Sequence, residues 1–213
     1  ERLMKEKTYV EDVDRNMYDF RNDEKDAYRI KNGLTEDIVE KISEEKHDPE
    51  WMHDFRLNSL KIYHEMKVPD WGPSIEGLNM DNIATYVRAN TKMKGNWSEV
   101  PEEIKDTFEK LGIPQAERTS LAGVGAQYDS ELVYHNVRKE VEEQGVIYTD
   151  MESALTGEYA DMVKDHFMKL VTPPDHKFAA LHGAVWSGGS FVYVPKGVSV
   201  EIPLQSYFRL NAA

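Results

Sequence analysis

Histidine is the residue type in this chain with the widest chemical use, and the sequence contains seven histidines. Two histidines four residues apart on one helix face can hold a zinc ion, as in the His-Glu-x-x-His pattern. No pair of histidines in the sequence has that spacing. In Asp165-His166 and Asp175-His176 the two residues are adjacent, so they point to different sides of any regular element. We therefore interpret the histidines as structural and predict no metal site.

Nucleophiles and phosphate-binding loops are also poorly represented. The chain has no cysteine, which excludes disulfides, thiolate ligands and a cysteine nucleophile within these residues. No Gly-x-Ser-x-Gly string occurs, so a hydrolase triad has no anchor. Gly123-Val124-Gly125 lacks a preceding strand and a following acidic partner, and we interpret it as a turn. The carboxylates are scattered over the chain without forming an acid/base pair. We predict no catalytic residue and expect a protein that is not an enzyme.

The negative charge of the chain argues against two classes of binding partner. The formal net charge of −13 would repel nucleic acid and an anionic membrane surface. No run approaches the roughly 18 apolar residues that a membrane span needs, and no charged-then-apolar leader opens the sequence. We expect a cytoplasmic protein that binds neither nucleic acid nor a membrane.

Helical patterns dominate the middle of the chain. Residues 1–32 are charged and poorly periodic, which indicates a leader or docking arm. Thr35 is suited to cap a first helix, with Leu34 packing on Val39 across its first turn. Asp48-Pro49 opens a second helix, which carries an apolar stripe at helical spacing. The stripe consists of Trp51, Phe55, Ile62 and Met66. It indicates a helix-packing face.

Shorter elements follow. Pro101 begins a helix with Ile104 and Phe108 on its apolar face. Residues 146–149 predict a short strand that ends at Asp150, a good N-cap for two further helical pieces over residues 151–155 and 158–170. We therefore predict a mainly helical region over residues 33–173.

The composition changes after Pro173-Pro174. The first 50 residues hold 26 charged side chains, whereas the last 43 hold five: Asp175, Lys177, Lys196, Glu201 and Arg209. From Ala179 to Asn211, short runs rich in Val, Tyr and Phe are interrupted by Gly-Gly, Pro or Pro-Lys-Gly. That spacing is typical of short strands in a stacked β-structure. The sequence predicts a second region over residues 174–213, with the boundary at residues 173–176.

Three strings carry a family resemblance. They are GLTEDIVEKISEEKHDPEWMHDFRLNSL (33–60), AQYDSELVYHNVRKEVEEQGVIYTD (126–150) and LHGAVWSGGSFVYVPKGVSVEIPLQSYFRLN (181–211). The chain resembles the N-terminal portion of the SufB/SufD family, which belongs to the SUF iron–sulfur cluster assembly machinery. The strings Asp48-Pro49-Glu50-Trp51-Met52 and Gln127-Tyr128-Asp129-Ser130-Glu131 favour the SufB branch.

The resemblance implies a fold and a set of partners. The expected fold class is α+β, in which an N-terminal helical region leads into the first rungs of a right-handed parallel β-helix, incomplete within these residues. The resemblance implies a scaffold that works with a SufC-like ATPase, a SufD-like paralogue and a sulfur-donor desulfurase system. It also implies an iron–sulfur cluster, and a reduced flavin, for the full-length complex. We expect neither to be bound by residues 1–213.

The resemblance carries two candidate site residues. Arg209 and Asn211 match an Arg-x-Asn pair on an early β-helix strand, in the core region along which the family is thought to move sulfur. The alternative is that both are inward-facing polar residues that complete a strand ladder. The cysteine and carboxylate ligands of the family are expected beyond Ala213.

Two other function classes stay open. A β-helix carbohydrate-active protein would need a cluster of Asp or Arg side chains on one sheet face, which the five charges after Val171 do not provide. The second open class is a helical protein-interaction module with a small accessory sheet. Further sequence with β-helix spacing and a late cysteine would favour the scaffold over both.

Overall fold

The computed structural model describes residues 28–72, 74–88, 97–110, 123–128, 131–137 and 139–210. The helices are α1 (Glu36–Lys46), α2 (Glu50–Glu65), α3 (Glu102–Lys110), α4 (Lys139–Glu142), α5 (Met151–Thr156), α6 (Ala160–His166) and α7 (Lys177–Val185). The strands are β1 (Tyr28–Arg29), β2 (Val87–Arg88), β3 (Gly123–Tyr128), β4 (Glu131–Val137), β5 (Ile147–Asp150), β6 (Ser190–Tyr193) and β7 (Leu204–Arg209). Short 3-10 helices occur at Met80–Asn82, Trp97–Glu99 and Pro173–Asp175.

The strands form three small sheets. β1 pairs with β2, and β5 pairs with β6, both antiparallel. The third sheet has the order β4-β3-β7, in which β3 runs antiparallel to β4 and parallel to β7. In that parallel register Gly123 lies opposite Leu204 and Tyr128 lies opposite Arg209. The last described strand therefore pairs with a strand 81 residues earlier in the sequence.

The predicted parallel β-helix is wrong. In the described part of residues 174–213 there is no stack of parallel rungs, because β6 and β7 pair with earlier strands in separate small sheets. The start of the predicted strand run is helix α7, in which Ala179, Ala180 and Leu181 are good helix formers. The ring of His176 caps this helix by accepting the Phe178 N–H at 3.0 Å. The Gly and Pro residues that interrupt the apolar runs indicated short strands, but they did not specify which strands pair with each other.

Helix α1 forms as its sequence predicts. Thr35 is the N-cap residue, although its side chain makes no capping hydrogen bond. Ile38, Val39 and Ile42 are buried, and Leu34 packs in one cluster with Val39. The apolar side chains on this face attach α1 to the helices beneath it.

Helix α2 differs from its prediction in its buried face. Trp51 and Phe55 do pack against a core cluster, but both are only partly buried. The fully buried positions are Met52, Arg56, Ser59 and Leu60. Two of these residues are polar, and apolar periodicity cannot identify them. The N-cap is Pro49, and the carboxylate of Asp48 turns to Arg56 instead of capping the helix.

The later helices and strands confirm most of their predictions. Ile104 and Phe108 of α3 are each 1% exposed. β5 ends at Asp150, whose Oδ1 accepts the Ser153 N–H at 2.7 Å and so caps α5. The turn predicted at Gly123-Val124-Gly125 is wrong, because these residues begin β3. Glycine at two of the three positions weakened the strand signal.

The main packing contact joins α2 to α7. Gly183 of α7 faces Ser59 of α2, and a Cβ at Gly183 would lie 2.6 Å from Ser59 Oγ. The absence of a side chain at residue 183 therefore allows the two helices to approach closely. Next to this contact, Met52, Ala154, Leu155, Val163 and Trp186 form a buried cluster. The predicted boundary at residues 173–176 falls between these two packed helices.

The remaining predictions on organisation are only partly covered. Residues 1–27 of the predicted leader lie outside the described residues, and the division into residues 1–32, 33–173 and 174–213 stays a prediction. Among the described residues no helix is long and apolar enough to cross a lipid bilayer.

Candidate functional site

The structure describes one of the two predicted site residues. Arg209 is the last residue of β7 and is half-buried. Because side chains alternate along a strand, Arg209 shares one face of β7 with Gln205 and Tyr207. Ser206 and Phe208 belong to the opposite face. Asn211 lies outside the described residues, so the predicted Arg-x-Asn pair is neither assembled nor separated by this structure, and its role stays a prediction.

A hydroxyl network lies on the Ser206 face of β7. The Tyr148 hydroxyl donates to the carbonyl oxygen of Gln205 at 2.9 Å and lies 2.7 Å from Ser206 Oγ. Ser206 Oγ in turn lies 2.9 Å from Ser190 Oγ. The network joins β5, β6 and β7, and so connects the two later sheets. These contacts are made by three hydroxyl groups and one backbone carbonyl oxygen. The network can position strands.

Two side chains hold the turn between α7 and β6. The Gly188 N–H donates to Glu152 Oε1 at 2.6 Å, and the Gly189 N–H donates to Gln127 Oε1 at 3.0 Å. Both glycines have positive φ, at 65° and 106°, a conformation that glycine adopts without strain. A Cβ at Gly188 would overlap the carboxamide of Gln127. The Gly-Gly pair is therefore required both by the turn and by the close approach of Gln127.

The Glu152 carboxylate also accepts a charged partner. Lys46 Nζ lies 2.9 Å from Glu152 Oε1, and only 5% of the Lys46 side chain is exposed. The same ammonium lies 5.2 Å from the centre of the Tyr86 ring. A carboxylate that accepts from an ammonium and a backbone N–H is firmly held. The end of α1, the start of α5 and the glycine turn are consequently tied together.

A second, fully buried ion pair lies in the helical region. Arg56 Nε donates to Asp48 Oδ2 at 2.6 Å, and the two side chains are 0% and 1% exposed. Arg56 Nη1 donates to the carbonyl oxygens of Trp186 at 2.9 Å and Ala184 at 3.3 Å. The guanidinium carbon lies 4.8 Å from the centre of the Trp186 ring. Arg56 therefore satisfies the last carbonyl groups around the end of α7.

Sequence reasoning missed this arginine. The spacing of Met52, Arg56, Ser59 and Leu60 corresponds to one helix face, but a charged residue on such a face is normally taken for solvent-exposed. The available signal was the eight-residue separation from Asp48 at the start of the same helix. This spacing allows the loop carboxylate to reach the second turn of α2.

The histidines with described side chains do not gather into a metal-binding cluster. Among the described residues no group of three or more His, Asp or Glu side chains has the geometry to hold a metal ion. His182 is on α7 near Arg56; the protein atoms around its ring remove it partly from water, and this desolvation lowers its pKa. The positive charge of Arg56 lowers the pKa further.

Comparison with known proteins gives one family. The family model described as "SufBD protein N-terminal region" matches residues 36–206. The chain is similar to the iron-sulfur cluster assembly protein SufB of Bacillus subtilis (strain 168), with 51% identity over 201 residues, 94% of this chain and 43% of that protein. An iron-sulfur cluster assembly SufBD family protein of Staphylococcus aureus (strain USA300) is 52% identical over the same shares. The chain thus spans less than half the length of these curated relatives.

Proposed function

Because this chain belongs to the SufBD family, we propose that it acts in iron–sulfur cluster assembly as the N-terminal part of a SufB-like scaffold subunit. The observation that carries the proposal is 51% identity over 201 residues to a protein named as an iron-sulfur cluster assembly SufB.

The proposed role is that of a scaffold and not of an enzyme. The cluster is the cargo of such a protein, and iron–sulfur clusters are held mainly by cysteine thiolates. The 213 residues contain no cysteine. We therefore propose that the thiolates come from outside these 213 residues. They are supplied either by the rest of a protein as long as the curated relatives or by its partner proteins. The hydroxyl network and the two ion pairs would give this half of the scaffold a fixed shape.

Partners belong to the same proposal. A SufC-like ATPase, a SufD-like paralogue and a sulfur-donor desulfurase system are the partners that membership of the family suggests. We propose that they act on this chain through the complete protein. Support comes from the family match over residues 36–206.

A flavin does not fit either of two surface pockets in the described part of the chain. One pocket, of about 520 Å³, is lined by Leu34, Thr35, Glu36, Leu57, Leu60, Lys61 and His64. The other, of about 410 Å³, is lined by His166, Met168, Lys169, Leu170, Val171, Ala179 and His182. Neither lining provides the Tyr, Trp or Phe ring that would stack on an isoalloxazine. No step of the proposed function is routed through a flavin.

Arg209 and Asn211 keep two alternative roles within the proposal. A guanidinium attracts the anionic sulfur of a persulfide or hydrosulfide, so Arg209 is suited to a sulfur path. The alternative is a structural residue at the end of β7. Substitution of Arg209 separates the two roles. If Arg209 lies on a sulfur path, its substitution lowers cluster formation without changing folding.

A chimera tests the function. In Bacillus subtilis depleted of its own SufB, the matching N-terminal segment of SufB is replaced by residues 1–213 of this chain. We expect the chimera to restore growth and the activity of an iron–sulfur enzyme measured in lysates. A matched chimera carries an unrelated helical domain of the same length and should restore neither. A chimera that accumulates folded but leaves the enzyme inactive would contradict the proposal.

The same assay tests Arg209. The chimera with Arg209→Ala is compared with one carrying Gln205→Ala, a change on the same face of β7. A sulfur path predicts that only the Arg209 variant lowers the enzyme activity at an equal protein level. Equal activity in the two variants would assign Arg209 to the strand ladder.

A further inference from the structure

The first turn of α7 is held by a histidine. His176 is the N-cap residue of α7, and its Nδ1 accepts the Phe178 N–H at 3.0 Å. A ring nitrogen can accept a hydrogen bond only when it carries no proton. The cap therefore requires the neutral imidazole, with the ring proton on Nε2.

This cap differs in its chemistry from the cap of α5. There the N-cap is Asp150, whose carboxylate accepts the Ser153 N–H at 2.7 Å. Carboxylates in general stay ionised well below neutral pH, whereas imidazole changes its charge between about pH 5 and pH 8. The start of α7 therefore depends on pH over a range in which the start of α5 does not.

Two aromatic side chains pack against the imidazole. The ring centre of His176 lies 5.9 Å from that of Trp71, at an interplanar angle of 64°, and 5.5 Å from that of Phe178. The imidazole is half-buried between the loop after α2 and its own helix. Rotation of the ring away from the Phe178 N–H would disturb both contacts, so the ring is held where Nδ1 caps the helix.

The carboxylates near the cap are exposed to solvent. Asp175, in the 3-10 helix before α7, accepts the Thr172 N–H at 2.6 Å and the Thr172 hydroxyl at 3.0 Å. Asp70 precedes Trp71 in the loop after α2. Because charges in contact with water are screened, both carboxylates attract a proton on His176 only weakly.

A cation and the helix end oppose a proton on the ring. Lys177, the next residue, donates from Nζ to the Met66 carbonyl oxygen at 2.7 Å, which fixes its charge at the end of α2. The N-terminal end of a helix also disfavours positive charge. The Trp71 ring would attract a cation, but Trp71 is 79% exposed, where this attraction is weak. The neutral ring is therefore the form that fits this position.

We propose that His176 is a proton-sensitive cap of α7. The neutral ring accepts the Phe178 N–H and holds the first turn of α7, whereas protonation of Nδ1 removes the acceptor and lets that turn open. Opening of the turn also loosens Lys177 from the end of α2, since Lys177 is the first residue of α7. This device goes beyond the scaffold role, and its test does not use cluster assembly. Failure of the test would leave the proposed function untouched.

Hydrogen exchange followed by NMR tests the proposal with the chain of residues 1–213. The measured quantity is the protection factor of the Phe178 amide, from which the intrinsic pH dependence of exchange is divided out. We expect it to fall roughly fivefold from about pH 7.5 to about pH 5.5, which corresponds to an N-cap worth about 1 kcal/mol. The Ser153 amide, capped by Asp150, should change little. An unchanged protection factor at Phe178, or an equal fall at Ser153, would overturn the proposal.

Two substitutions isolate the ring proton. His176→Asn and His176→Asp each supply a side-chain oxygen that can cap the helix at every pH of the experiment. We expect the Phe178 amide to keep its protection on acidification in these variants, and circular dichroism checks that they remain folded. A fall as large as that of the wild type would show that another group titrates and would contradict the proposal.

Two other histidines are the competing sources of a pH response. His64 is connected to Lys177 through Tyr63, whose ring centre lies 5.4 Å from that of His64 and 4.3 Å from Lys177 Nζ. His182 lies within α7, and its pKa is lowered by desolvation and by the charge of Arg56. His64→Asn and His182→Gln are therefore the matched controls, and both should keep the wild-type response in the first turn of α7. Loss of the response in either control would assign it to that histidine instead.

Discussion

The helical region around α2 and α7 and the sheet region of β5, β6 and β7 use polar groups in opposite ways. In the helical region a charged pair, Arg56 and Asp48, is almost completely buried. In the sheet region the linking groups are neutral hydroxyls, those of the buried Tyr148 and of the partly buried Ser190 and Ser206. The helical region therefore contains a buried charge pair whose two members need each other, whereas the sheet region is linked by several weaker contacts.

Apolar exposure follows the same division. Met52, Ala154 and Val163 in the helical core are at most 1% exposed. In the sheet region Val192 is 48% exposed and Phe208 is 62% exposed. A region with fewer buried apolar contacts opens at a lower free-energy cost. We therefore expect β6 and β7 to open at a lower free-energy cost than α2.

The largest expected effect comes from Arg56→Met. Removal of the cation leaves the Asp48 carboxylate buried without its partner, which costs about 3–5 kcal/mol of unfolding free energy. Urea unfolding followed by circular dichroism measures the change. The matched control is Arg88→Met, which breaks the partly exposed Arg88–Glu45 pair and should cost below about 1 kcal/mol. Equal losses in the two variants would show that burial of the Arg56 pair is unimportant.

The next effect in size concerns the α2–α7 contact. Gly183→Ala introduces a Cβ that would lie 2.6 Å from Ser59 Oγ. We expect a loss of about 1–3 kcal/mol from overpacking, despite the gain in helix propensity. Thermal and urea unfolding measure it, with Gly72→Ala as the control because its Cβ would contact nothing. The double variant Gly183→Ala, Ser59→Ala should recover part of the loss, and an unchanged loss would argue against this contact.

A smaller effect is expected in the sheet region. Ser206→Ala removes the hydroxyl that contacts both Tyr148 and Ser190. Net hydrogen-bond contributions of about 0.5–1.5 kcal/mol set the scale. Hydrogen exchange should show faster opening of β6 and β7 with little change in α2. If α2 loses as much protection as β7, the two regions unfold as one unit and the comparison fails.

The smallest effect is a pH dependence from His182. Its pKa is lowered in the folded protein by partial desolvation of the ring and then by the charge of Arg56, so the unfolded state binds more protons as the pH falls through the ordinary histidine value of about 6.5. Stability should therefore decrease on acidification from pH 7 until the folded pKa is passed. In His182→Gln this component is absent, so the melting temperature should fall less over that range. Parallel pH profiles for the two proteins would contradict the assigned cause.

Several features could be predicted because they depend on near neighbours in the sequence. The burial of Ile38, Val39 and Ile42 follows from helical periodicity, and the capping of α5 by Asp150 follows from local hydrogen bonding. The family followed from strings of residues and is confirmed by the match over residues 36–206. None of these features requires knowledge of a distant contact.

The sequence by itself determined the helices around residues 36–46, 50–65 and 102–110, the strand that ends at Asp150, and the family that the chain joins. Only the tertiary structure decided that residues 177–185 are a helix against α2, and that β7 pairs with β3 instead of starting a β-helix. It also decided that Arg56 is buried, because the carboxylate of Asp48 and the carbonyl groups of residues 184 and 186 accept hydrogen bonds from its guanidinium. Strand partners and buried charges depend on groups far apart in the chain, and local periodicity contains no information about such groups.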